Sequence, residues 1–244
     1  MAQLLADLAY GRDPRQVLDL YLPKKAKPRL FVFVHGGGWR GGDKAHYRSL
    51  GELLSGFGYA VALPNHRLAP EHPHPAAADD VAAAIQCVLR YSPESGIRAQ
   101  GMYLGGHSSG AHLAALLAVH PRYRQPEPLA GVICISGVYD LGAYAEAAGY
   151  LRPVFGDDPA VWADASPVEH VLPGAPPFFM AYAEHDIPGA AHQAARMAAA
   201  VRTVGGSAQV TEVPGRDHVT ILTGVQSIFD PLALGLAMFL RSGK

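Results

Sequence analysis

The sequence predicts an α/β fold in which helices flank a mainly parallel central sheet. Short apolar runs typical of strands alternate with helical stretches along all 244 residues, and no linker or internal repeat interrupts them. Two of these runs, residues 30–34 and 178–183, are continuously apolar, which is typical of strands buried on both faces. Because 49% of the residues are hydrophobic and 17% are charged, the chain can build a substantial core. We therefore expect a single domain over residues 1–244.

The first half of the chain supplies three predicted strands and two predicted helices. Residues 16–22 alternate apolar and polar side chains, so this strand should be half-exposed. The next strand, residues 30–34, runs directly into His35-Gly36-Gly37-Gly38-Trp39. Helical spacing and turn residues place the remaining elements at 47–57 (helix), 59–63 (strand) and 76–91 (helix).

The second half continues the alternation, with one irregular stretch. A short apolar strand at 102–104 leads to a glycine-rich turn and a helix at 111–119. The regular elements that follow are strands at 131–135, 178–183 and 209–213 and helices at 190–204 and 221–240, the last interrupted where Asp230 should cap a new helix beginning at Pro231. Residues 137–177 lack a regular period, and an irregular segment this long predicts a loop or helical wall of a pocket.

Charge and composition exclude several classes of partner. The net charge of −1 offers no basic face for nucleic acid or acidic lipid. The N-terminal residues do not resemble a signal peptide, and no stretch is apolar for long enough to span a membrane, so a cytoplasmic location is the default expectation. Cys87 and Cys134 lie in apolar stretches and should be buried free thiols. The oligomeric state is left open.

The turn between the strand at 102–104 and the helix at 111–119 reads Gly106-His107-Ser108-Ser109-Gly110. In a nucleophile elbow, a serine occupies a sharp strand-to-helix turn, and flanking glycines allow the backbone to pass closely. The alternative is a chance glycine–serine turn. The position after a strand and before a helix favours Ser108 as a nucleophile.

A serine nucleophile requires a base, and the base requires a carboxylate to orient it. His218 is the candidate base because it follows the strand at 209–213 on a loop, whereas His107 and His112 should point away from Ser108. Asp186 follows the preceding strand and is the favoured acid, with Asp140 as its rival. The order serine, acid, histidine is the one expected of this type of sheet.

The glycine run after residues 30–34 is the candidate oxyanion hole. Backbone N–H groups of Gly37 and Gly38, together with that of Ser109, can converge on the oxygen of a tetrahedral intermediate. The candidate substrate contacts are Trp39, Tyr139 and His107, although aromatic residues under a long loop can equally be core.

Other chemistries fit poorly. The run Gly41-Gly42-Asp43-Lys44 lacks the ending of a phosphate loop, and no dinucleotide motif opens the first helix. The close pair His72 and His74 is not accompanied by a recognisable metal motif. We expect neither a metal nor an organic cofactor.

These motifs resemble the α/β-hydrolase superfamily, and within it the hormone-sensitive-lipase-like esterases with their kynurenine formamidase and small carbohydrate-esterase relatives. The resemblance is carried by residues 18–23, 35–39, 67–71 and 106–110 and by Asp186. It implies a serine carboxylesterase acting on small esters with short acyl or aryl groups, and it leaves open an N-formylkynurenine formamidase or an inactive binding module. Ala183 and Asn65 depart from residues common in relatives. The short stretch before the first strand leaves no room for a large N-terminal cap.

Overall fold

The computed structural model describes residues 3–24, 27–124, 127–225 and 229–242. Its centre is an eight-stranded sheet with the order β1-β2-β4-β3-β5-β6-β7-β8. The strands are β1 (Gln3–Ala9), β2 (Val17–Leu22), β3 (Arg29–Val34), β4 (Ala60–Pro64), β5 (Arg98–His107), β6 (Gly131–Ile135), β7 (Phe178–His185) and β8 (Ala208–Asp217). The strands from β4 to β8 along this order pair in parallel, whereas β1 and β2 are antiparallel additions at one edge. The predicted α/β fold with a mainly parallel central sheet is thereby confirmed.

Helices cover both faces of the sheet. They are α1 (Arg48–Gly56), α2 (Ala76–Ser95), α3 (Ser109–Val119), α4 (Ala148–Phe155), α5 (Pro159–Asp164), α6 (Ala190–Thr203), α7 (Thr220–Thr223) and α8 (Pro231–Ser242). Successive side chains of β3 point to opposite faces, so Val32 joins the core beneath α2, α3 and α6, and Phe33 joins the core beneath α1 and α8. This two-sided burial explains why residues 30–34 are continuously apolar.

The predicted half-exposed strand at residues 16–22 is instead buried from Leu18 to Tyr21. The expectation was wrong because β2 is not an edge strand: β1 pairs with it on the outside, and Tyr21 packs beneath Gly51 of α1. The strand β1 was not predicted, since its sequence Gln-Leu-Leu-Ala-Asp-Leu-Ala has no β-branched residue and does not alternate apolar and polar side chains. A register shift between Leu5 and Leu8 bends it, with Asp7 at a positive φ of 53°.

The irregular segment at residues 137–177 folds into short helical pieces. Besides α4 and α5, it contains two 3-10 helices, Gly142–Ala147 and Pro167–His170. This segment crosses the carboxyl ends of the parallel strands, where Val138, Tyr144 and Leu151 line the main cavity. The expected loop or helical wall is therefore present as a series of short helices.

The longer predicted helices occur close to their expected positions. Strands β5 and β8 extend beyond the predicted apolar runs because paired backbone continues into polar residues. Asp230 caps α8 through its Oδ1, which accepts from the Leu232 N–H at 2.9 Å. Residues 226–228 of the predicted helix at 221–240 lie outside the described residues.

Cys87 and Cys134 are buried free thiols, as expected. Within the described ranges, no helix has the length and apolarity that membrane crossing requires.

Candidate active site

Ser108 lies at the junction of β5 and α3 with φ 55° and ψ −123°, a conformation that non-glycine residues rarely adopt. The two flanking glycines make this turn possible. A Cβ on Gly106 would lie 2.3 Å from the backbone of Gly110, and a Cβ on Gly110 would lie 2.1 Å from the Val34 oxygen. The Ser108 N–H is held by the Ile135 carbonyl at 2.8 Å. The turn is therefore a strained nucleophile elbow supported by two neighbouring strands.

A chain of two hydrogen bonds links Ser108 to His218 and then to Asp186. The Ser108 Oγ lies 2.9 Å from the His218 Nε2, and the His218 Nδ1 lies 2.6 Å from the Asp186 Oδ1. His218 is carried by the loop that follows β8, and Asp186 directly follows β7. Because β5, β7 and β8 are parallel, their carboxyl ends bring these three distant residues to one edge.

The Asp186 carboxylate is buried, with a side-chain exposure of 3%. Burial by itself would raise its pKa, but hydrogen bonds from His218, the Ala183 N–H, Ser136 and the Ile187 N–H outweigh burial and lower the pKa to about 2. The group is consequently an anion throughout the neutral range, which suits a carboxylate that orients an imidazole and stabilises its cation.

Asp140, the rival acid, lies elsewhere. Its Oδ2 pairs with Arg196 and its Oδ1 caps the helix start at Ala143. Its backbone N–H donates to the Gln193 side chain. All of these contacts are structural, and the structure brings Asp186 rather than Asp140 to His218.

The glycine loop after β3 turns through two positive φ angles, 135° at Gly37 and 60° at Gly38. Neither residue tolerates a Cβ, which at Gly37 would lie 2.3 Å from the Gly41 oxygen and at Gly38 would overlap the Tyr150 hydroxyl. Among the described residues, nothing accepts a hydrogen bond from the N–H groups of Gly37, Gly38 or Ser109. These three donors remain available to an anionic oxygen.

Tyr47, on the 3-10 helix Lys44–Tyr47 before α1, connects this loop to the His218 loop through His107. His107 Nε2 lies 2.8 Å from the His218 carbonyl, which can only accept, so Nε2 carries the proton. His107 Nδ1 therefore accepts from the Tyr47 hydroxyl at 2.9 Å, and the Tyr47 oxygen accepts from the Gly36 N–H at 3.0 Å. Burial, with a smaller contribution from the nearby His218, lowers the His107 pKa to about 4, so this ring stays neutral near pH 7.

The family of the chain follows from comparison with known proteins. A family model described as BD-FAE matches residues 18–201, more than half of the chain. The chain belongs to the BD-FAE family of α/β hydrolases.

Individual relatives agree with this placement. Esterase LipC of Mycobacterium tuberculosis is 30% identical over 260 residues, which cover 95% of this chain and 63% of LipC. A kynurenine formamidase of Danio rerio is 32% identical over 146 residues, covering 58% of this chain and 48% of the formamidase. The chain thus spans about half to two thirds of these relatives. An inhibited esterase B from Lactobacillus rhamnosis shares the fold, with a TM-score of 0.87 at 22% identity and coverage of 99% and 86% of the two chains.

In this BD-FAE family member, the candidate substrate contacts occupy different environments. Trp39 lines the cavity and is held by its indole N–H, which donates to His112 Nδ1 at 3.1 Å, while His112 Nε2 donates to the Ala165 carbonyl. Tyr139 is only 1% exposed and packs in the core without lining the cavity, so its predicted substrate contact is wrong; its neighbour Val138 lines the cavity instead.

His107 was predicted both to contact substrate and to point away from Ser108. The structure places it at the edge of the cavity, with its ring 4.9 Å from that of His218. It is therefore a direct neighbour of His218, because the turn directs its side chain towards the His218 loop. Both of its nitrogens are engaged by protein groups. No motif pointed to Tyr47, since the residue is a lone aromatic in a short helix.

A cluster of His120, Asp164 and His170 lies near the end of α3 that is remote from Ser108. His120 Nδ1 accepts from the Arg122 N–H, which leaves the proton on Nε2 to be donated to Asp164. His170 Nε2 donates to the Asp164 carbonyl. These hydrogen bonds join the C-terminal end of α3 to α5.

Proposed function

We propose that the protein is a serine carboxylesterase that hydrolyses small esters through an acyl-enzyme intermediate. The observation that carries the proposal is the continuous chain from the Ser108 Oγ through the His218 imidazole to the Asp186 carboxylate. The N–H groups of Gly37, Gly38 and Ser109, which have no acceptor in the described part of the chain, and the esterase relative LipC support it.

In the proposed mechanism, the Ser108 Oγ attacks the ester carbonyl carbon while His218 Nε2 removes its proton. The negative charge that develops on the carbonyl oxygen is stabilised by the N–H groups of Gly37, Gly38 and Ser109. The proton on His218 Nε2 then passes to the leaving alkoxide as the C–O bond breaks. Water, deprotonated by the same nitrogen, attacks the acyl-enzyme and releases the acid.

Aromatic and aliphatic side chains near Ser108 support a preference for short acyl or aryl groups. Trp39, Tyr150 and Leu151 line the cavity beside the glycine loop. Trp39 is locked by its bond to His112 and packs edge-on against Phe155 at 5.1 Å. A rigid apolar wall of this kind accepts flat or small groups through burial of apolar surface and rejects charged ones.

A fluorophosphonate probe tests the proposal directly. We expect a single covalent adduct on Ser108, located by peptide mass spectrometry, with simultaneous loss of p-nitrophenyl acetate hydrolysis. An adduct on another residue, or none at all, would contradict the proposal and would favour a catalytically inactive binding module.

N-formylkynurenine formamidase activity is a second candidate, favoured by the match to the Danio rerio kynurenine formamidase. The same nucleophile and oxyanion donors can act on a formamide. We expect kcat/KM for p-nitrophenyl acetate to exceed that for N-formylkynurenine, because the carbonyl carbon of an amide is less electrophilic than that of an aryl ester and its amine is the poorer leaving group. Parallel measurements of kcat/KM for the two substrates distinguish the esterase from the formamidase. A higher kcat/KM for N-formylkynurenine would replace the esterase proposal with the formamidase.

Tyr47→Phe tests the connection between the glycine loop and the His218 loop. Loss of the hydroxyl leaves the Gly36 N–H and His107 Nδ1 without partners, which should lower the free energy of unfolding by about 1–3 kcal/mol. We expect kcat to fall by about tenfold with little change in KM, because small displacements of catalytic groups are costly. Steady-state kinetics and urea unfolding measure both effects. Tyr59→Phe, a half-buried tyrosine of the same face, is the matched control and should retain wild-type kcat.

A further inference from the structure

The cavity that contains Ser108 continues along one face of the sheet. Its volume is about 2450 Å³, well above the ~300–1,000 Å³ of ordinary small-molecule pockets. Beyond Val219 and Leu222, it passes between α1, which packs on β2 and β4, and α8, which packs on β7 and β8. The inner strands β3 and β5 lie between these pairs in the sheet order. A small ester would occupy only the end at Ser108.

Both sides of this groove are apolar. The helix α1 contributes Leu50, Leu53 and Leu54, and the helix α8 contributes Leu236 and Leu240. Leu53 is 52% exposed, and Phe57 at the end of α1 is 64% exposed. Large side chains left this open on α1, facing the partly buried leucines of α8, indicate a surface that gains free energy when an apolar ligand covers it.

The far end of the groove is cationic. Arg29 and Arg98 are paired at the starts of β3 and β5, and the Tyr103 hydroxyl beside Arg29 donates to the Leu240 carbonyl, which brings the neighbouring Arg241 to the same end. All three arginines line the groove, as does Lys27. Arg98 and Arg241 form no salt bridge with any residue in the described ranges. No carboxylate is found among the described residues that line the groove.

The groove has a definite length. Seven residue-to-residue steps lead from Arg29, at the start of β3, to Gly36, which at ~3.3 Å per step gives a span of about 23 Å. An extended long-chain alkyl group covers a distance of this order. We propose that the site accepts esters whose alcohol part is a long alkyl arm ending in an anionic group, with the arm in the groove and the anion at Arg29, Arg98 and Arg241.

The proposed mechanism determines that the long arm belongs to the alcohol part of the ester and not to the acyl part. This inference therefore rests on the proposed function. The leaving oxygen must face His218 Nε2 to receive its proton. Val219 follows His218 directly and lines the start of the groove, whereas Trp39 follows β3, which lies on the other side of β5 and Ser108 from β8 in the sheet order. The short acyl group therefore lies against Trp39, and the long arm leaves past Val219.

Three acetate esters test the proposal: ω-acetoxyhexadecanoate, its neutral primary amide of equal length, and the short anion ω-acetoxybutanoate. Acetate release gives kcat/KM for each below its aggregation concentration. We expect the long carboxylate to exceed both the neutral amide and the short anion by about tenfold, the effect of a charge-assisted contact worth ~1.4 kcal/mol.

Two variants locate the arm. Arg98→Gln combined with Arg241→Gln should bring the long carboxylate down to the level of the neutral amide, whereas Arg90→Gln on α2 should change nothing. Ala237→Trp, an exposed groove position, should reduce hydrolysis of both long esters, with Ala195→Trp on α6 as its control. Hydrolysis of p-nitrophenyl acetate should be unchanged in both variants and in both controls.

Equal kcat/KM for the long carboxylate and the neutral amide would overturn the anionic assignment. If the preference for the long carboxylate were the same in the arginine and tryptophan variants as in the wild type, the arm would not lie in this groove. A long-chain preference found only in p-nitrophenyl monoesters of dicarboxylic acids would overturn the assignment to the alcohol side. In each case, retained p-nitrophenyl acetate hydrolysis would leave the proposed esterase function standing, so the two failures are distinguishable.

Discussion

Ser108→Ala should reduce kcat/KM for p-nitrophenyl acetate by about 10⁶-fold, as expected when the nucleophile of a hydrogen-bonded triad is removed. Among the described residues, the Ser108 hydroxyl forms a side-chain hydrogen bond with His218 alone. Its removal should therefore leave the fold unaffected. Circular dichroism and the melting temperature check the fold, and steady-state assays check the rate. A variant that keeps more than a tenth of the wild-type rate would show that Ser108 is not the nucleophile.

Ser109→Ala is the matched control for this substitution. The Ser109 hydroxyl is buried and finds no hydrogen-bond partner among the described residues, whereas its backbone N–H belongs to the proposed oxyanion hole. Alanine keeps that N–H. We expect kcat within about twofold of wild type, as for substitutions that break no specific interaction. A large loss would mean that the hydroxyl itself takes part in the reaction.

Asp186→Asn should lower kcat by about 10⁴-fold at pH 7. The amide is nearly isosteric, but it cannot balance the charge of the His218 imidazolium, and its NH2 group would face the His218 N–H across the present 2.6 Å contact. The carboxylate has a pKa of about 2, so in the wild-type protein it is an anion at every pH above about 4. Single-turnover and steady-state kinetics at pH 7 measure the loss.

Asp140→Asn is the control for Asp186→Asn, because Asp140 follows β6 and Asp186 follows the neighbouring strand β7. This change weakens the ion pair with the half-exposed Arg196 and should cost up to about 1 kcal/mol of unfolding free energy. It should leave kcat unchanged. If Asp140→Asn abolished turnover and Asp186→Asn did not, the acid would have to be reassigned.

The sequence predicted the parallel part of the sheet well because its strands are buried on both faces and read as continuous apolar runs. Residues 30–34 and 131–135 are examples. The edge was predicted poorly. Exposure of residues 16–22 depends on whether another strand covers them, and β1 does so with a mostly exposed sequence rich in leucine and alanine, which lacks the β-branched residues and the strict alternation typical of a strand.

The candidate site could be predicted from the positions of its residues along the chain, because parallel strands bring Ser108, Asp186 and His218 to one edge of the sheet. The direction in which each side chain points could not be predicted in this way. Tyr139 and Val138 are adjacent, yet only Val138 faces the cavity. Tyr47 acquires its contacts from the path of a loop, and the groove exists because α1 and α8 pack on different strands. Both depend on distances between elements, which residue patterns do not encode.

The hydrogen bond from His107 reaches the main-chain carbonyl of His218 and does not involve its imidazole. The loop is consequently anchored by a group that every residue at position 218 would retain. His218→Ala should therefore preserve the shape of the cleft while removing the base. Such a protein would be a suitable host for capturing an intact ester by soaking crystals, which would show the bound geometry before any bond is broken.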